Sequence, residues 1–380
     1  MYHYPPFDPK EMEVIGIHPS SVAAPMFPGD MPPEPIFNRP ITARENLIRM
    51  CEGRNHAWIP QTGWMFCDVC NFRPRQIPDN FATHLIFDGG EFIQYDVDTL
   101  KGWFGLDWVF VPVAGGATVK PGAPTIEDMN DWQETLVWPD LDAIDWEGMG
   151  KLNEKFLDTT QFRQHAQLAE LDTTQFHQLG MLDGFWERLI SLMDVSGAAM
   201  ALIDEDQKDA VHAFFDKYAD FLIDYIRRVK AVCPIDGVLI HDDWGTQNGP
   251  FFSLDTAMEM LVPYLKRVVD YIHSEGMYYE QHSCGNCTKL VPAYIAAGVD
   301  WWAPQPMNDV DAILDMVEGT RLHIAMPDAC PPDATPEAAA AIAQEWFAKY
   351  GHRQVTIAPM AAPPAFLAEI YRLSREALCK

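Results

Sequence analysis

From Asp236 to Met360, short apolar runs alternate with stretches long enough for a helix. The runs are DGVLIHDD, GMYYEQHSC, GVDWWAPQ, RLHIAMPDAC and QVTIAPM, and the stretches include AMEMLVPYLKRVVDYIHSEG and PEAAAAIAQEWFAKYGH. Strand and helix in turn, repeating every roughly 20 to 40 residues, is the pattern of a parallel sheet joined by helical crossovers. Each run closes on polar side chains: His241, Asp242 and Asp243; His282 and Cys284; Gln305; Asp328 and Cys330. In (β/α)8 barrels the carboxyl ends of the strands carry the active site, so a (β/α)8 (TIM) barrel is the expected fold. A doubly wound open sheet is the alternative, but no Gly-rich phosphate loop follows an early strand.

The rest of the chain divides by composition. Residues 1–38 are Pro-rich, with MFPGDMPPEPIF among them, and read as an extended arm on a body of residues 39–380. Thr42 followed three residues later by Glu45 makes a capping box, and Leu47, Ile48 and Cys51 continue an apolar helix face. From Trp58 to about Asp145 the chain is rich in Trp, Gly and Pro, with short strands such as WVFVPV. Residues 157–162 and 171–176 repeat LDTTQF, two copies being too few for a solenoid; a duplication in a surface excursion is expected. Helical periodicity then runs from Gly184 to Val232.

Several partner classes are disfavoured by charge and length. A formal charge of −28 repels phosphate backbones and anionic lipid, which argues against nucleic acid and membrane surfaces. No apolar run approaches the ~20 residues that span a bilayer. The opening MYHYPPFDPKEMEV has neither a basic nor an apolar signal region, so a cytoplasmic protein is expected. Its 8 cysteines are too sparse for a disulfide scaffold and read as thiols or metal ligands.

The most specific chemistry lies in YYEQHSCGNCT, residues 278–288. In a strand, residues i and i+2 share a face, so His282 and Cys284 converge as the ligands of a soft metal would. A buried structural histidine beside an inert thiol is the bland alternative. Glu280 shares their face and is either a supporting group or a paired barrel-interior carboxylate. Asp243 could orient His241 or a ligand, bind substrate, or simply cap a helix. Cys67-x-x-Cys70 and Cys284-x-x-Cys287 together imitate a four-cysteine zinc site, but more than 200 residues separate the pairs. Aromatic residues crowd the first third, including Trp58, Trp64, Trp103 and Trp108. Most read as core; Arg73 or Arg75 could hold a substrate carboxylate or lie on the surface.

From about Arg39 onward the chain resembles the uroporphyrinogen decarboxylase superfamily, and within it the cobalamin-dependent methyltransferase branch. The resemblance rests on RPITARENLIRMCEG, on GLDWVFVPVAGGATVKPGAPTIEDMNDWQETLVWPDLDAIDW, on IDGVLIHDDWGTQNGPFFS and on EQHSCGN. It implies a (β/α)8 barrel. The stretch WIPQTGWMFCDVCNFRPR lacks the arginine-rich pattern that binds a porphyrinogen in the true decarboxylases. A polyanionic tetrapyrrole would bind poorly without it.

The methyltransferase branch holds zinc by a His-x-Cys pair and a later cysteine. His282 and Cys284 match the pair, but the last-strand turn reads IAPMAAP, with Met360 and Ala361 where the cysteine is expected. Cys330 is the replacement candidate. The resemblance further implies a separate corrinoid (cobalamin) protein docking at the barrel mouth. From the residues themselves, His241, Asp243 and Glu280 are candidate catalytic groups and Trp244 and Asn286 candidate cofactor contacts. The expected reaction moves a methyl group between a small methylated substrate, a methoxylated aromatic in the preferred direction, and corrinoid cobalt. Methyl transfer from cobalamin to a thiol, a metal-free decarboxylase and a non-catalytic corrinoid-binding barrel are the alternatives, and a homodimer is open.

Overall fold

The computed structural model describes residues 4–17, 35–62, 68–72, 100–101, 104, 106–111, 116–119, 122, 124–144, 146–147, 174–181, 183–327, 329–359 and 362–378. Among them β1 (Val14–Ile17) and β2 (Pro35–Phe37) form an antiparallel pair in the arm. The strand β3 (Val69–Phe72) follows, and then β4 (Leu100–Lys101), β5 (Asp107–Val111) and β6 (Gly116–Val119) make a small antiparallel sheet. The second half supplies β7 (Phe176–Met181), β8 (Gly237–His241), β9 (Tyr278–His282), β10 (Trp301–Trp302), β11 (His323–Pro327) and β12 (Val355–Ala358). With β3 these run parallel in the order β12-β11-β10-β9-β8-β7-β3.

Residues 60–62 join the two edges of this sheet. Thr62 N donates to Ile357 O at 2.7 Å and Ile357 N to Pro60 O at 2.9 Å, as a parallel bridge between Gln61 and Ile357 requires. Asp68 N then reaches Gln61 O at 3.0 Å and hands the ring to β3. The result is the expected (β/α)8 barrel, its eighth stave reduced to this short segment.

Side chains divide by period two. Val238, Ile240, Tyr279, Trp302, Ile324 and Met326 belong to the large core shared with the surrounding helices. Val69, Phe176, Tyr278, Trp301 and Ala325 cluster instead with Leu47, Met50 and Cys51 of helix Ala43–Cys51. That helix closes the amino-terminal end of the barrel, since Val69, Phe176 and Tyr278 begin their strands. Burying each such side chain contributes about 1.5–3 kcal/mol. Thr42 Oγ1 accepts from Glu45 N at 3.1 Å, but Glu45 turns its carboxylate to Arg49, so half of the expected capping box forms.

The sequence expectations need adjusting in two places. The periodic stretch from Gly184 is two helices, Phe185–Ala201 and Lys208–Val232. The first is kinked at Asp194, which has φ 62°, and Ile126 N takes the carbonyl of Leu192 at 3.0 Å. The second LDTTQF copy does not end in a surface excursion, for Phe176 is fully buried and opens β7; the first copy lies outside the described residues. Cys67, Arg73, Arg75, Asp328, Met360 and Ala361 also lie outside them. No helix among the described residues is long and apolar enough to cross a membrane.

The start of the arm is pinned to the body. In the 3-10 turn Pro9–Met12, Glu11 is buried and accepts from Arg375 Nε and Nη2, both at 2.8 Å, and from Tyr371 Oη at 2.6 Å. Arg375→Met would leave that carboxylate buried without its cation, and a loss of about 3 kcal/mol in denaturant unfolding at neutral pH is expected. Burial raises the Glu11 pKa, yet Arg375 and Tyr371 hold it below the ordinary value. The contribution is therefore complete above the ordinary carboxylate range and fades as pH falls through the lowered pKa, so the gap between wild type and variant should close in acid.

Candidate metal centre

β8 and β9 pair in parallel with His241 directly opposite His282, each the last residue of its strand. The two imidazoles stack with centroids 4.3 Å apart at 20°. Asp243 follows β8 by two residues and places Oδ1 3.7 Å from Nε2 of each histidine. Cys284 follows β9 by two residues, with Sγ 3.5 Å from His282 Nε2. One donor atom from each of His241, Asp243, His282 and Cys284 lies within 4.8 Å of the others. Two imidazoles, a carboxylate and a thiolate are a complete set for a tetrahedral ion of borderline softness.

The loops carrying these donors are locked together. Asp243 Oδ1 accepts from Cys284 N at 2.6 Å, and Asn286 N donates to Thr246 O at 2.8 Å. Gly285 has φ 79°, and a Cβ there would stand 2.3 Å from the Gly245 carbonyl carbon; a Cβ on Gly245 would meet Cys284 O at 2.8 Å. Both glycines are required by this backbone contact. From the next loop Gln305 Oε1 accepts from Gly285 N at 2.7 Å, and buried Asn308 accepts from Cys287 N at 2.8 Å and donates to Gly285 O at 2.9 Å.

Protonation follows from burial against these neighbours. Burial would lower the His241 pKa, but the carboxylates of Glu187 and Asp243 more than offset it and raise it well above the ordinary value. Burial works to raise Asp243, yet His241 and His282 hold it low. Burial raises the Cys284 thiol, with a hydrogen bond from His241 pulling the other way. A bound cation would displace the protons of both His241 and Cys284.

The expected residues divide between the cluster and its surroundings. His241, Asp243, His282 and Cys284 come together. Cys330 does not join them: it is buried in the outer core, its Sγ 3.7 Å from Pro331 O, and Asp243 and His241 supply the donors instead. Glu280 points inward beside Trp301, below His282, as period two requires. It is a buried barrel-interior carboxyl that accepts from Gln178 Nε2 at 2.7 Å, pushed up to about 8 by burial. Trp244 is fully buried against Phe252 and Tyr294, with its Nε1 given to Asp242 at 2.8 Å, so its ring has no face to offer a cofactor. Asn286 secures its own turn through Met307 O at 3.1 Å and borders a cleft of about 240 Å³ with Asn248, Thr288, Lys289 and Asp309. Cys287, buried and raised to about 11 by that burial, precedes a 3-10 turn.

Glu187, whose Oε2 lies 3.0 Å from His241 Nδ1, is the site residue that sequence reading missed. The only sequence signal is a carboxylate in the first turn of the helix that follows β7, and β7 itself was not expected.

Residues 170–349 match the uroporphyrinogen decarboxylase (URO-D) family model, a stretch that holds β7 to β11 and all four clustered donors. The match covers just under half of the chain and agrees with the family that its sequence resembles. Among solved structures it is similar to a methyltransferase from Methanosarcina mazei, with 14% identity over 89% of this chain and 99% of the other, at a TM-score of 0.53. At that identity the likeness bears on the fold alone, and it supports the barrel. A protein described as a vitamin-B12-independent methionine synthase from Listeria monocytogenes aligns over 60% of this chain and 65% of its own, at 12% identity and a TM-score of 0.33, too low to carry weight. No curated protein matches the sequence.

Because Asp243 occupies the place that Cys330 was expected to fill, Cys330→Ala should leave the affinity for zinc within about twofold of wild type. Asp243→Ala should lower it by an order of magnitude or more. Competition with a chromophoric chelator measures both, and the core change at Cys330 should register only as a modest loss of thermal stability.

Proposed function

We propose that the chain is a zinc-dependent methyltransferase acting with a corrinoid protein. The observation that carries this reading is the convergence of His241, Asp243, His282 and Cys284 at the carboxyl ends of adjacent barrel strands. The URO-D match over the same residues and the methyltransferase named among similar structures support it. The donor set fits zinc, with Cys284 and Asp243 as the anionic ligands and His241 and His282 as neutral ones. Zinc held there would supply Lewis acidity toward the heteroatom that carries or receives the methyl group, which would have to expand the coordination shell or displace one of the four donors, while the corrinoid of a docked partner would supply the other methyl terminus.

The chain's own residues supply the rest. One carboxylate and one thiolate would neutralise a divalent charge, while a thiolate pair with a single histidine would be softer. The oxygen donor of Asp243 favours polarising an ether oxygen, and so a methoxylated, preferably aromatic, substrate. The stacked histidines and the glycine-locked loops hold the donors in place before a substrate arrives, which keeps the reorganisation cost of reaction low. Glu280, its pKa raised by burial and its carboxyl hydrogen-bonded to Gln178, favours an uncharged barrel interior beneath the cluster.

Metal analysis of wild type and His282→Ala tests the site: about one zinc per chain is expected in the first and strongly reduced zinc in the second. Zinc affinity should also rise with pH, because His241 and Cys284 must lose protons to bind, and titration at pH 6 and 8 reads the slope. For activity, a panel of methoxyaromatics with reduced cobalamin should deplete the cobalt(I) absorbance. Methylation of a thiol from methylcobalamin with no ether turned over would reverse the direction, and a wild type that takes up no zinc would sink the mechanism.

A further inference from the structure

Glu187 stands outside every motif of the sequence, yet it contacts the cluster directly. Its Oε2 lies 3.0 Å from His241 Nδ1, and its side chain is only 18% exposed. With Nδ1 engaged there, Nε2 is the ring nitrogen that faces Asp243, at 3.7 Å. Glu187 sits in the first turn of helix Phe185–Ala201, whose preceding residue, Gly184, has no side chain to cap it.

Asp242 caps the helix instead. Its carboxylate accepts from Trp186 N at 3.3 Å, from Glu187 N at 2.8 Å and from Trp244 Nε1 at 2.8 Å. A Cβ on Gly184 would stand 2.3 Å from Asp242 Cγ, so this approach requires glycine. Gly184 N also donates to His241 O at 2.8 Å. Three consecutive residues thus divide the work: His241 and Asp243 are cluster donors, and Asp242 fixes the helix whose Glu187 holds His241.

We infer that Glu187 is a positioning residue for metal binding, set in place by Asp242 and fixing the ring of His241 so that Nε2 faces the metal. The inference rests on the reading that the cluster binds zinc. A carboxylate on the far nitrogen fixes the tautomer and orientation of a ligating histidine and raises its basicity, and removal of such a partner typically costs 10–100-fold in metal affinity.

Zinc affinity measured by chelator competition on the full chain tests this, with thermal unfolding of the metal-free protein as the control. Glu187→Ala is expected to bind zinc about 10–100-fold more weakly than wild type. Glu187→Gln should recover part of the loss, since its amide oxygen can still accept from Nδ1–H. A residue that served only helix packing would lower the metal-free melting temperature and leave the affinity unmoved. Zinc binding by Glu187→Ala within twofold of wild type would overturn the inference while the cluster reading stands. If Glu187→Ala does not fold, Glu187→Asp, whose shorter arm falls short of Nδ1, is judged by the same limits. A wild type that binds no zinc would overturn the cluster reading and this inference with it.

Discussion

The parallel register of β8 against β9 is the constraint on which the site depends. It sets His241 across from His282 on neighbouring strands about 4.8 Å apart, close enough for their rings to stack. A slip of one residue would turn one of the two imidazoles out of the barrel. With the register set, Asp243 and Cys284, each two residues further on, reach the same point above the strand ends. The barrel therefore brings together from two segments what neither strand holds alone: a histidine and a harder oxygen from one, a histidine and a soft sulfur from the other.

Packing around these donors leaves their loops little freedom. Gly245 and Gly285 touch backbone to backbone, and the side chains of Gln305 and Asn308 secure the turn after Cys284. Asp242, between two donors, is spent on a helix terminus. Burial outweighs the hydrogen bonds from Trp244 and from the amides of Glu187 and Trp186, and its pKa stands raised to about 7. Donors anchored by groups this specific form a preorganised site, which is what metal affinity and selectivity need. The cluster also stands at the barrel end opposite helix Ala43–Cys51, so the plug that completes the core does not block it.

Much of this is legible in the sequence, and for physical reasons. The strands from β8 onward announce themselves because their outward residues are apolar and the helices between them are amphipathic. His282 and Cys284 are visible because a single strand displays them on one face. The strand β7 was hidden: FHQLGM places Gln178 inside the barrel, where Glu280 satisfies it, so its sequence does not read as an apolar run. Glu187 was hidden for a different reason, since its tie to His241 depends on how one helix enters from the strand before it. Cys330 follows from the expectation of a second cysteine on the rim. Asp243 is also a candidate in the sequence, but nothing in the spacing of a single chain shows it nearer to His282 than a cysteine some 50 residues later. Trp244 is a candidate cofactor contact in the sequence, whereas in the fold its indole N–H is needed by buried Asp242.

X-ray absorption at the zinc edge of the zinc-loaded protein tests the central claim most directly, because it counts sulfur ligands independently of turnover. A single sulfur at about 2.3 Å with three nitrogen or oxygen neighbours is predicted for His241, Asp243, His282 and Cys284. Two or more sulfurs would contradict the account and return a second cysteine to the site.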